Sequence, residues 1–395
     1  MAPLAGRAAA GDGARVGAGA VRRRAASGVR GGPGARRGAQ SGRPAAQRQT
    51  APRAPGVAAA RGGRYDARVI LAGDIGGTKT LLALYEPGSP VRSPVRARRL
   101  ASREFGSLAE LVRGFLAEGA GRPARAVFGI AGPVVEQRVE ATNLPWTISA
   151  AELGGALGAE VLLVNDLEAQ GWGLSQLGPA ELEALQPGRP ARGNRALIAA
   201  GTGLGEAILV PEGNGWRPMA SEGGHADFGP RDELEDELLR WLRARYGRAS
   251  YERVLSGPGL ADLHRFLRDT GRGEEPEAFA RAFDAAGDPG ALVGEAAVAG
   301  SCGRARLAVE RFVSIYGAEA GNLALKALAV NGVFVGGGIA PRVLSFMRAP
   351  SFLAAFGGKG RLSPVLAHVP VSIVLEQRAA LWGAAALAQA WGPAA

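Results

Sequence analysis

The chain has 395 residues, of which 47% are hydrophobic, and a formal net charge of +11 at pH 7. No apolar run approaches the roughly 18 residues that a membrane span requires. The single cysteine, Cys302, excludes a disulfide framework and a multi-cysteine zinc cluster, and it fits a cytoplasmic location. Residues 1–66 hold the whole excess charge, while the remainder has 34 basic and 34 acidic side chains. The bulk of the chain is therefore not expected to bind nucleic acid or a membrane.

Residues 1–66 consist mostly of Ala, Gly, Arg and Pro and show neither helical nor strand periodicity. Because so few apolar side chains cannot form a core, we expect this extension to be disordered. Three interpretations remain open. The segment could be a misplaced start in a high-GC gene, which suits the 44 Arg against three Lys. It could also be an Arg-rich transit peptide, or a basic tail for nucleic acid in which Arg22-Arg23-Arg24 lacks interleaved aromatic residues.

The first predicted elements after this extension are two strands joined by glycines. An apolar run over residues 69–72 enters the glycine segment, and residues 80–85 leave it. Ser107 opens a helix, with Glu110 completing a capping box. Residues 126–131 and 161–164 are typical of buried strands.

Further strands lead into two more glycine segments. Residues 196–200 run into Gly201-Thr202-Gly203-Leu204-Gly205, and residues 333–335 run into Gly336-Gly337-Gly338. Residues 231–246 and 379–391 have helical patterns, and Ser256-Gly257-Pro258-Gly259 is typical of a helix end. Strands that alternate with helices and carry loops at their ends predict an α/β fold.

The first glycine segment is Gly73-Asp74-Ile75-Gly76-Gly77-Thr78. Its glycines would let backbone N–H groups approach a phosphate, and Thr78 adds a hydroxyl. Asp74 is compatible with an anion only if Mg²⁺ or its water shell mediates the contact, so Asp74 is a candidate metal ligand through water. A tight hairpin whose glycines adopt positive φ is the alternative. The segment matches neither the Walker nor the Rossmann pattern.

Three glycine segments at strand ends resemble the superfamily of actin, heat-shock chaperones and hexokinases. That resemblance implies that two of the segments hold the β- and γ-phosphates and that a later one lines adenosine. The nucleotide-binding candidates outside the first segment are Gly201, Thr202, Gly203, Gly337 and Gly338.

Val164-Asn165-Asp166 places a carboxylate at the end of a buried strand. In a sugar kinase, such an aspartate would accept the proton of the attacking hydroxyl. An Asx turn or a helix N-cap before Leu167 explains the pattern equally well, and the two roles are compatible.

Glu222-Gly223-Gly224-His225 and Glu252 supply further polar groups. Carboxylates, an amide and an imidazole suit the hydroxyls of a sugar. A solvent-facing turn is the alternative for the first cluster, and zinc is disfavoured because no cysteine lies nearby. His264, in a helical stretch, is interpreted as structural or solvent-exposed.

Together the motifs resemble the bacterial glucokinase family of the hexokinase type, which lacks bound zinc. They run in order as GDIGGTKT, Thr142-Asn143-Leu144-Pro145-Trp146, VND, GTGLG, EGGH with DF, ERVLSGPG, Gly321-Asn322-Leu323-Ala324-Leu325 and GGGIAPR. The resemblance implies that Asp166 is the catalytic base and that glucose is bound by Asn165, Asp166, Glu222, His225 and Glu252. It also implies that residues 73–78 bind ATP with Mg²⁺, and that the protein is a homodimer.

The same resemblance implies a two-lobed, ribonuclease H-like α/β fold with the active site in the cleft between the lobes. The smaller lobe would span residues 67–172 and would also include the C-terminal helix, 376–395. The larger lobe would span residues 173–375. The predicted activity is ATP-dependent phosphorylation of glucose at the 6-hydroxyl, the entry step of glycolysis.

Two alternatives stay open at this point. A sister group of sugar kinases and sugar-responsive repressors shares the first glycine segment, but its members usually carry a Cys-rich zinc site that Cys302 alone could not form. A non-catalytic sugar sensor would need a helix-turn-helix, for which residues 1–66 show no apolar periodicity. The hexose and the phosphoryl donor cannot be derived from the residues alone.

Overall fold

The computed structural model describes residues 69–119 and 121–391. The extension predicted to be disordered, residues 1–66, lies outside these ranges. All of the described residues belong to one compact unit, Gly63–Ala395. None of the helices within the described ranges combines the length and the apolarity needed to cross a bilayer.

The described ranges contain thirteen strands. In chain order they are β1 (Val69–Ile75), β2 (Lys79–Tyr85), β3 (Arg96–Ala101), β4 (Pro123–Ile130), β5 (Arg138–Glu140), β6 (Thr147–Ser149), β7 (Glu160–Asn165), β8 (Leu182–Gln186), β9 (Arg195–Ala200), β10 (Leu204–Glu212), β11 (Gly215–Ser221), β12 (Gly332–Gly336) and β13 (Val371–Val374).

Thirteen α-helices lie in the same ranges. They are α1 (Leu108–Ala117), α2 (Ala150–Leu157), α3 (Asp166–Gly173), α4 (Glu233–Tyr246), α5 (Gly257–Asp269), α6 (Glu277–Ala285), α7 (Pro289–Ala299), α8 (Gly303–Ala327), α9 (Ile339–Arg342), α10 (Leu344–Met347), α11 (Pro350–Gly357), α12 (Ser363–Leu366) and α13 (Ala379–Ala390). Short 3₁₀ turns at Gly223–His225 and Tyr251–Arg253 carry two of the predicted sugar-binding residues, His225 and Glu252. This alternation of strands and helices confirms the predicted α/β class.

Two sheets share one topology. The first has the order β3-β2-β1-β4-β7, in which β3, β2 and β1 are antiparallel and β1, β4 and β7 are parallel. The second, β11-β10-β9-β12-β13-β8, repeats that pattern and adds the antiparallel edge strand β8. The turns between β1 and β2 and between β9 and β10 are therefore equivalent positions of the two sheets. Both carry glycines, as the sequence predicted.

Each sheet buries apolar side chains against helices. The first sheet packs α1 and α2 on one face and α13 on the other. The largest core lies between the second sheet and α4, α5, α7, α8 and α11, with Phe312, Tyr316 and Phe352 fully buried in it. Burial of this kind stabilises the fold by roughly 25 cal/mol for each Å² of apolar surface removed from water.

Two local predictions are wrong in detail. The Ser107 hydroxyl does cap α1 by accepting from Glu110 N–H, but the Glu110 carboxylate accepts from Gly106 N–H instead of completing a capping box. Ser256-Gly257-Pro258-Gly259 starts a helix instead of ending one. Ser256 is the N-cap of α5 and accepts from Gly259 N–H, because proline in the first turn removes a donor that has no partner there.

Candidate active site

The first glycine segment is partly strand. Gly73, Asp74 and Ile75 lie inside β1, so the prediction that Asp74 stands in a loop is wrong, and the turn itself is Gly76-Gly77-Thr78. Neither Gly76 nor Gly77 has positive φ, which also excludes the alternative that the hairpin needs glycine for its backbone angle. A Cβ on Gly77 would lie 2.3 Å from the Asn143 Cβ. Glycine is required there by close approach.

Asp74 and Asp166 bring two carboxyl groups to one edge of the first sheet. Their strands, β1 and β7, flank β4 in parallel, so both chains end at the same edge. Burial raises the pKa of Asp74 to about 7, and repulsion by Asp166 adds to the effect while Lys79 opposes it. Burial likewise raises the pKa of Asp166 to about 6, with a further contribution from Glu222. Neither group has a neighbouring positive charge strong enough to offset its desolvation.

The N-terminal cap of α3, one of the two roles that the sequence left open for Asp166, belongs to Asn165. Asn165, which is buried, is the N-cap of α3: its Oδ1 accepts from Leu167 N–H at 2.9 Å, and its Nδ2 donates to the Gly132 carbonyl at 3.1 Å. Asp166 is the first residue of the helix, and its Oδ1 also accepts from Leu167 N–H, at 3.0 Å. One N–H of Asn165 and the second oxygen of Asp166 stay available to a substrate.

The first turn of α3 is wedged between the two sheets. A Cβ on Gly129 of β4 would lie 2.7 Å from the Ala169 Cβ, and one on Gly205 of β10 would lie 2.2 Å from Leu167 Cδ2. Helix α13 holds α3 from behind, since a Cβ on Gly383 would be 1.7 Å from the Ala169 carbonyl oxygen. Because small residues allow this contact on every side, the position of Asp166 is fixed by both sheets and by α13.

The second and third glycine segments lie against each other. The turn between β9 and β10 is Gly201-Thr202-Gly203, and Leu204 and Gly205 already belong to β10. Gly337 has φ 79°, and a Cβ on it would be 2.2 Å from the Ala200 carbonyl oxygen at the end of β9. The buried Tyr316 hydroxyl accepts from Ala200 N–H at 3.0 Å and lies 3.3 Å from the Gly336 carbonyl. One side chain thus joins the two segments.

The predicted sugar-binding residues converge beside this turn. His225 Nε2 lies 3.8 Å from Glu222 Oε2, and His225 Nδ1 lies 3.8 Å from Glu252 Oε1. These distances exceed hydrogen-bond length, and the Glu222 and His225 side chains are about half exposed. The three groups therefore lie side by side without being bonded to one another, and two of them are open to solvent. Repulsion between Glu222 and Asp166 connects this cluster to α3.

The structure brings all five predicted sugar-binding residues, and the glycines of the second and third segments, to one region. The first segment is linked to it through the Asp74–Asp166 pair. Sequence reasoning assigned no role to Asn143, Tyr316 or Glu206. Of these, Glu206 gave a readable signal, because a carboxylate interrupts the apolar strand that follows Gly205. Tyr316 gave none, since an aromatic residue on a long helix is indistinguishable from ordinary core.

Known proteins resemble this chain in sequence and in architecture. The glucokinase family model matches residues 71–391. A glucokinase of Nostoc sp. PCC 7120 is 41% identical over 334 residues, which cover 80% of this chain and 98% of the relative. The crystal structure of a glucokinase from an Antarctic psychrotroph is 30% identical, covers 83% of this chain and 100% of its own, and has a TM-score of 0.68.

A third comparison bears on the fold alone. The crystal structure of a ROK family glucokinase from Streptomyces griseus, in complex with glucose and AMPPNP, is 23% identical with a TM-score of 0.58 and covers 82% of this chain and 99% of its own. The repeated sheets and these neighbours confirm the predicted fold of the actin and hexokinase superfamily. With the family model spanning most of the chain, the predicted resemblance is also confirmed: this chain belongs to the glucokinase family.

Proposed function

We propose that the described site phosphorylates glucose at its 6-hydroxyl with ATP, and that Asp166 is the general base. The family supports the overall reaction. The position of Asp166 supports its role, since the carboxyl stands at the start of α3 where both sheets meet. This single observation carries the assignment. A pKa of about 6 leaves the group ionised at pH 7, yet basic enough to take a proton as the hydroxyl attacks.

Glucose would bind between α3 and the two 3₁₀ turns, and its ligands would be Asn165, Asp166, Glu222, His225 and Glu252. Carboxylates accept hydrogen bonds from hydroxyls, while the free N–H of Asn165 donates one. His225 can donate or accept, according to its tautomer. The half-exposed Glu222 and His225 leave a route by which the sugar enters.

ATP would lie across the three glycine segments, and Asp74 would hold Mg²⁺ through water. The residues fit both groups. Gly76 N–H and Gly201 N–H close the equivalent turns of the two sheets on the Lys79 and Gly203 carbonyls. The N–H groups at 77–78 and 202–203 would be the ones that meet a phosphate. The charge of Asp166 adds to burial in raising the pKa of Asp74, an arrangement that a cation relieves. Among the described residues no group of three or more His, Cys, Asp or Glu side chains could hold a metal. Phosphate oxygens and water would supply the remaining Mg²⁺ ligands, as is usual for nucleotide sites.

The reaction would then follow from these positions. When bound, Mg²⁺ neutralises charge that develops on the phosphates. The second oxygen of Asp166 accepts the proton from the glucose 6-hydroxyl as that oxygen bonds to the γ-phosphorus. The bond from the γ-phosphorus to the bridging oxygen breaks, and ADP departs with its electron pair. Backbone N–H groups at 202–203 and 77–78 stay in place through the transfer, so their alignment costs no reorganisation.

We also propose that the chain divides into two lobes. The smaller lobe comprises residues 67–172 and 376–395, and the larger lobe comprises residues 173–375. All strands of the first sheet lie between Val69 and Asn165, and those of the second lie between Leu182 and Val374. Helix α13 returns to pack on the first sheet. Closure of the lobes would exclude water, which otherwise competes with the sugar as acceptor. The homodimer and the cytoplasmic location remain predictions.

A coupled assay for ADP tests the proposal directly. Glucose should be phosphorylated with ATP, and a panel containing mannose, fructose and glucosamine should be turned over more slowly. Replacement of ATP by ADP or polyphosphate should abolish the formation of glucose 6-phosphate, the product to measure in this case because neither donor would release ADP. A chain that binds glucose yet releases no ADP would instead be a sugar sensor on the same fold.

A further inference from the structure

Glu206 is a buried carboxyl in an apolar row. It belongs to the face of β10 on which Leu204 and Ile208 pack into the core against α8, and its side chain is 1% exposed. Its Oε1 has no hydrogen-bond partner. A buried polar atom without a partner costs free energy, and a valine would fill this strand position without that cost. A group kept at such cost calls for an explanation.

The Glu206 carboxyl lies directly beneath the turn that carries Glu222 and His225. A Cβ on Gly223 would lie 2.1 Å from Glu206 Oε2, and one on Gly224 would lie 2.1 Å from the Leu204 carbonyl oxygen. The two glycines therefore let the turn rest flat on β10, with the Glu206 carboxyl in contact with the Gly223 α-carbon. Any displacement of this carboxyl would move the turn.

Glu206 is coupled to Glu319, a second carboxyl on α8 that is completely buried. Glu319 accepts from Asn322 Nδ2 at 2.8 Å and from Lys326 Nζ at 3.1 Å, so its charge is compensated. Burial and the charge of Glu319 raise the pKa of Glu206 to about 7, and Lys326 opposes the shift. Tyr316 also faces Glu206 from α8. Burial raises the pKa of its hydroxyl further, so Tyr316 is neutral near pH 7. Glu206 alone lacks a partner for its charge.

The same network reaches the other sugar-binding turn. Asn322 Nδ2 donates to the Tyr251 hydroxyl at 3.2 Å, and Tyr251 N–H donates to the Ala226 carbonyl at 3.0 Å. Tyr251 immediately precedes Glu252. Lys359 Nζ donates to Asn322 Oδ1 at 2.5 Å. Two of the chain's three lysines, Lys326 and Lys359, thus belong to this network.

We propose that Glu206 is a positioning residue for glucose, and that it supports the Gly223–Gly224 step only while it carries a proton. The inference rests on the proposed glucose site. When Glu206 ionises, two buried carboxylates face each other, and Gly223 N–H is already donated to Ser221 Oγ at 3.0 Å. Because Gly223 N–H cannot turn to the new charge, the two carboxyls separate and the turn shifts. Glu222 and His225, the titratable groups of the turn, then lose their positions around the sugar.

The test measures the glucose dissociation constant without nucleotide, by tryptophan fluorescence, from about pH 6 to about pH 8.5. In the unmodified protein, we expect binding to weaken about five- to tenfold across the pKa of Glu206. Glu206→Gln keeps the shape and stays neutral, so its affinity should be tight and should vary by no more than about twofold over this range. Its kcat should be retained, because the residue does not touch the reacting atoms.

The variant Glu319→Gln tests the same coupling by shifting the pH at which glucose binding weakens. Loss of the Glu319 charge lowers the pKa of Glu206, so the weakening of glucose binding should move to lower pH. A pH profile in Glu206→Gln that matches the unmodified protein overturns the inference, as does an unmoved midpoint in Glu319→Gln. Thermal melts confirm that each variant is folded. The variant His225→Ala distinguishes failure of the proposed glucose site from failure of the proposed role of Glu206. If His225→Ala binds glucose normally, the proposed glucose site is wrong, whatever the results with Glu206.

Discussion

The Glu252 carboxylate accepts a hydrogen bond from Leu204 N–H at 2.9 Å, across 48 residues of sequence. Leu204 follows the glycine turn proposed to hold phosphate, while Glu252 is proposed to bind glucose. A Cβ on Gly203 would lie 2.5 Å from the same carboxylate oxygen. Glu252 therefore contacts both proposed substrate sites. The absence of a side chain at position 203 makes the contact between Glu252 and Leu204 possible.

Gly203→Ala should damage both substrate sites together. The added methyl group displaces the Glu252 carboxylate and breaks its bond to Leu204, so the KM values for ATP and for glucose should each rise about tenfold. Steady-state kinetics with each substrate varied in turn would measure this. Gly114→Ala, on α1 with no atom near the new Cβ, is the matched control and should leave both values unchanged. A change in the KM for ATP alone would mean that Glu252 does not couple the sites.

Asp166→Asn should lower kcat by at least about 10²-fold, because the amide cannot accept the proton in the transition state. Its Oδ1 can still accept from Leu167 N–H, so α3 and the glucose affinity should be preserved. Turnover and glucose binding should be measured on the same preparation. Glu295→Gln, at an exposed position on α7, is the control carboxylate. Near-normal turnover in Asp166→Asn would remove Asp166 from its proposed role.

Local patterns in the sequence predicted the strands, the glycine turns and the N-terminal cap of α1, since each depends on residues a few positions apart. They also placed Asp166 at a strand end. The start of α5 was misjudged because Ser256-Gly257-Pro258 suits either end of a helix until its neighbours are known. Proline at the first helical position, preceded by serine, was the better signal.

The remaining features depend on contacts between distant segments. Nothing near Glu252 in the sequence indicates Leu204 as its partner, and nothing near Gly77 indicates Asn143. The glycines illustrate the difference. A hairpin with positive φ at its glycines was the alternative that the sequence left open, whereas the structure requires glycine at position 77 because Asn143 of another segment packs against it. Such close approach is fixed by the tertiary fold.

Deletion of residues 1–60 should leave folding and kinase activity intact. The family model begins at residue 71, and the Nostoc relative is matched over 98% of its own length by 80% of this chain. The Ala-, Gly- and Arg-rich composition of the extension offers little apolar surface to bury. Thermal melting and the coupled assay on the truncated chain would check this. Loss of soluble protein or of activity would show that the extension is structural.

Tyr316→Phe should weaken ATP binding. Its hydroxyl joins the ends of β9 and β12, which carry the second and third glycine segments, and its loss leaves Ala200 N–H without a buried partner. We expect a stability loss of about 1–3 kcal/mol and a severalfold rise in the KM for ATP. Tyr85→Phe is the control, because the buried Tyr85 hydroxyl has no hydrogen-bond partner, and its removal should not destabilise the protein. Equal effects in the two variants would contradict this role.

His264 should make the protein sensitive to acid. Its ring is fully buried between Phe279 and Phe283, and burial lowers its pKa to about 4, although Glu275 Oε1 lies 3.2 Å from Nε2. The folded chain thus binds this proton less tightly than the unfolded chain. The resulting stability is complete above about pH 6.5 and is lost as the pH falls toward 4, by roughly 3 kcal/mol in all. Chemical denaturation of His264→Leu should show a shallower loss over this range, whereas His368→Leu, at an exposed position, should follow the unmodified protein. If His264→Leu loses as much stability at low pH as the unmodified protein, His264 does not contribute and protonation of carboxylates accounts for the loss.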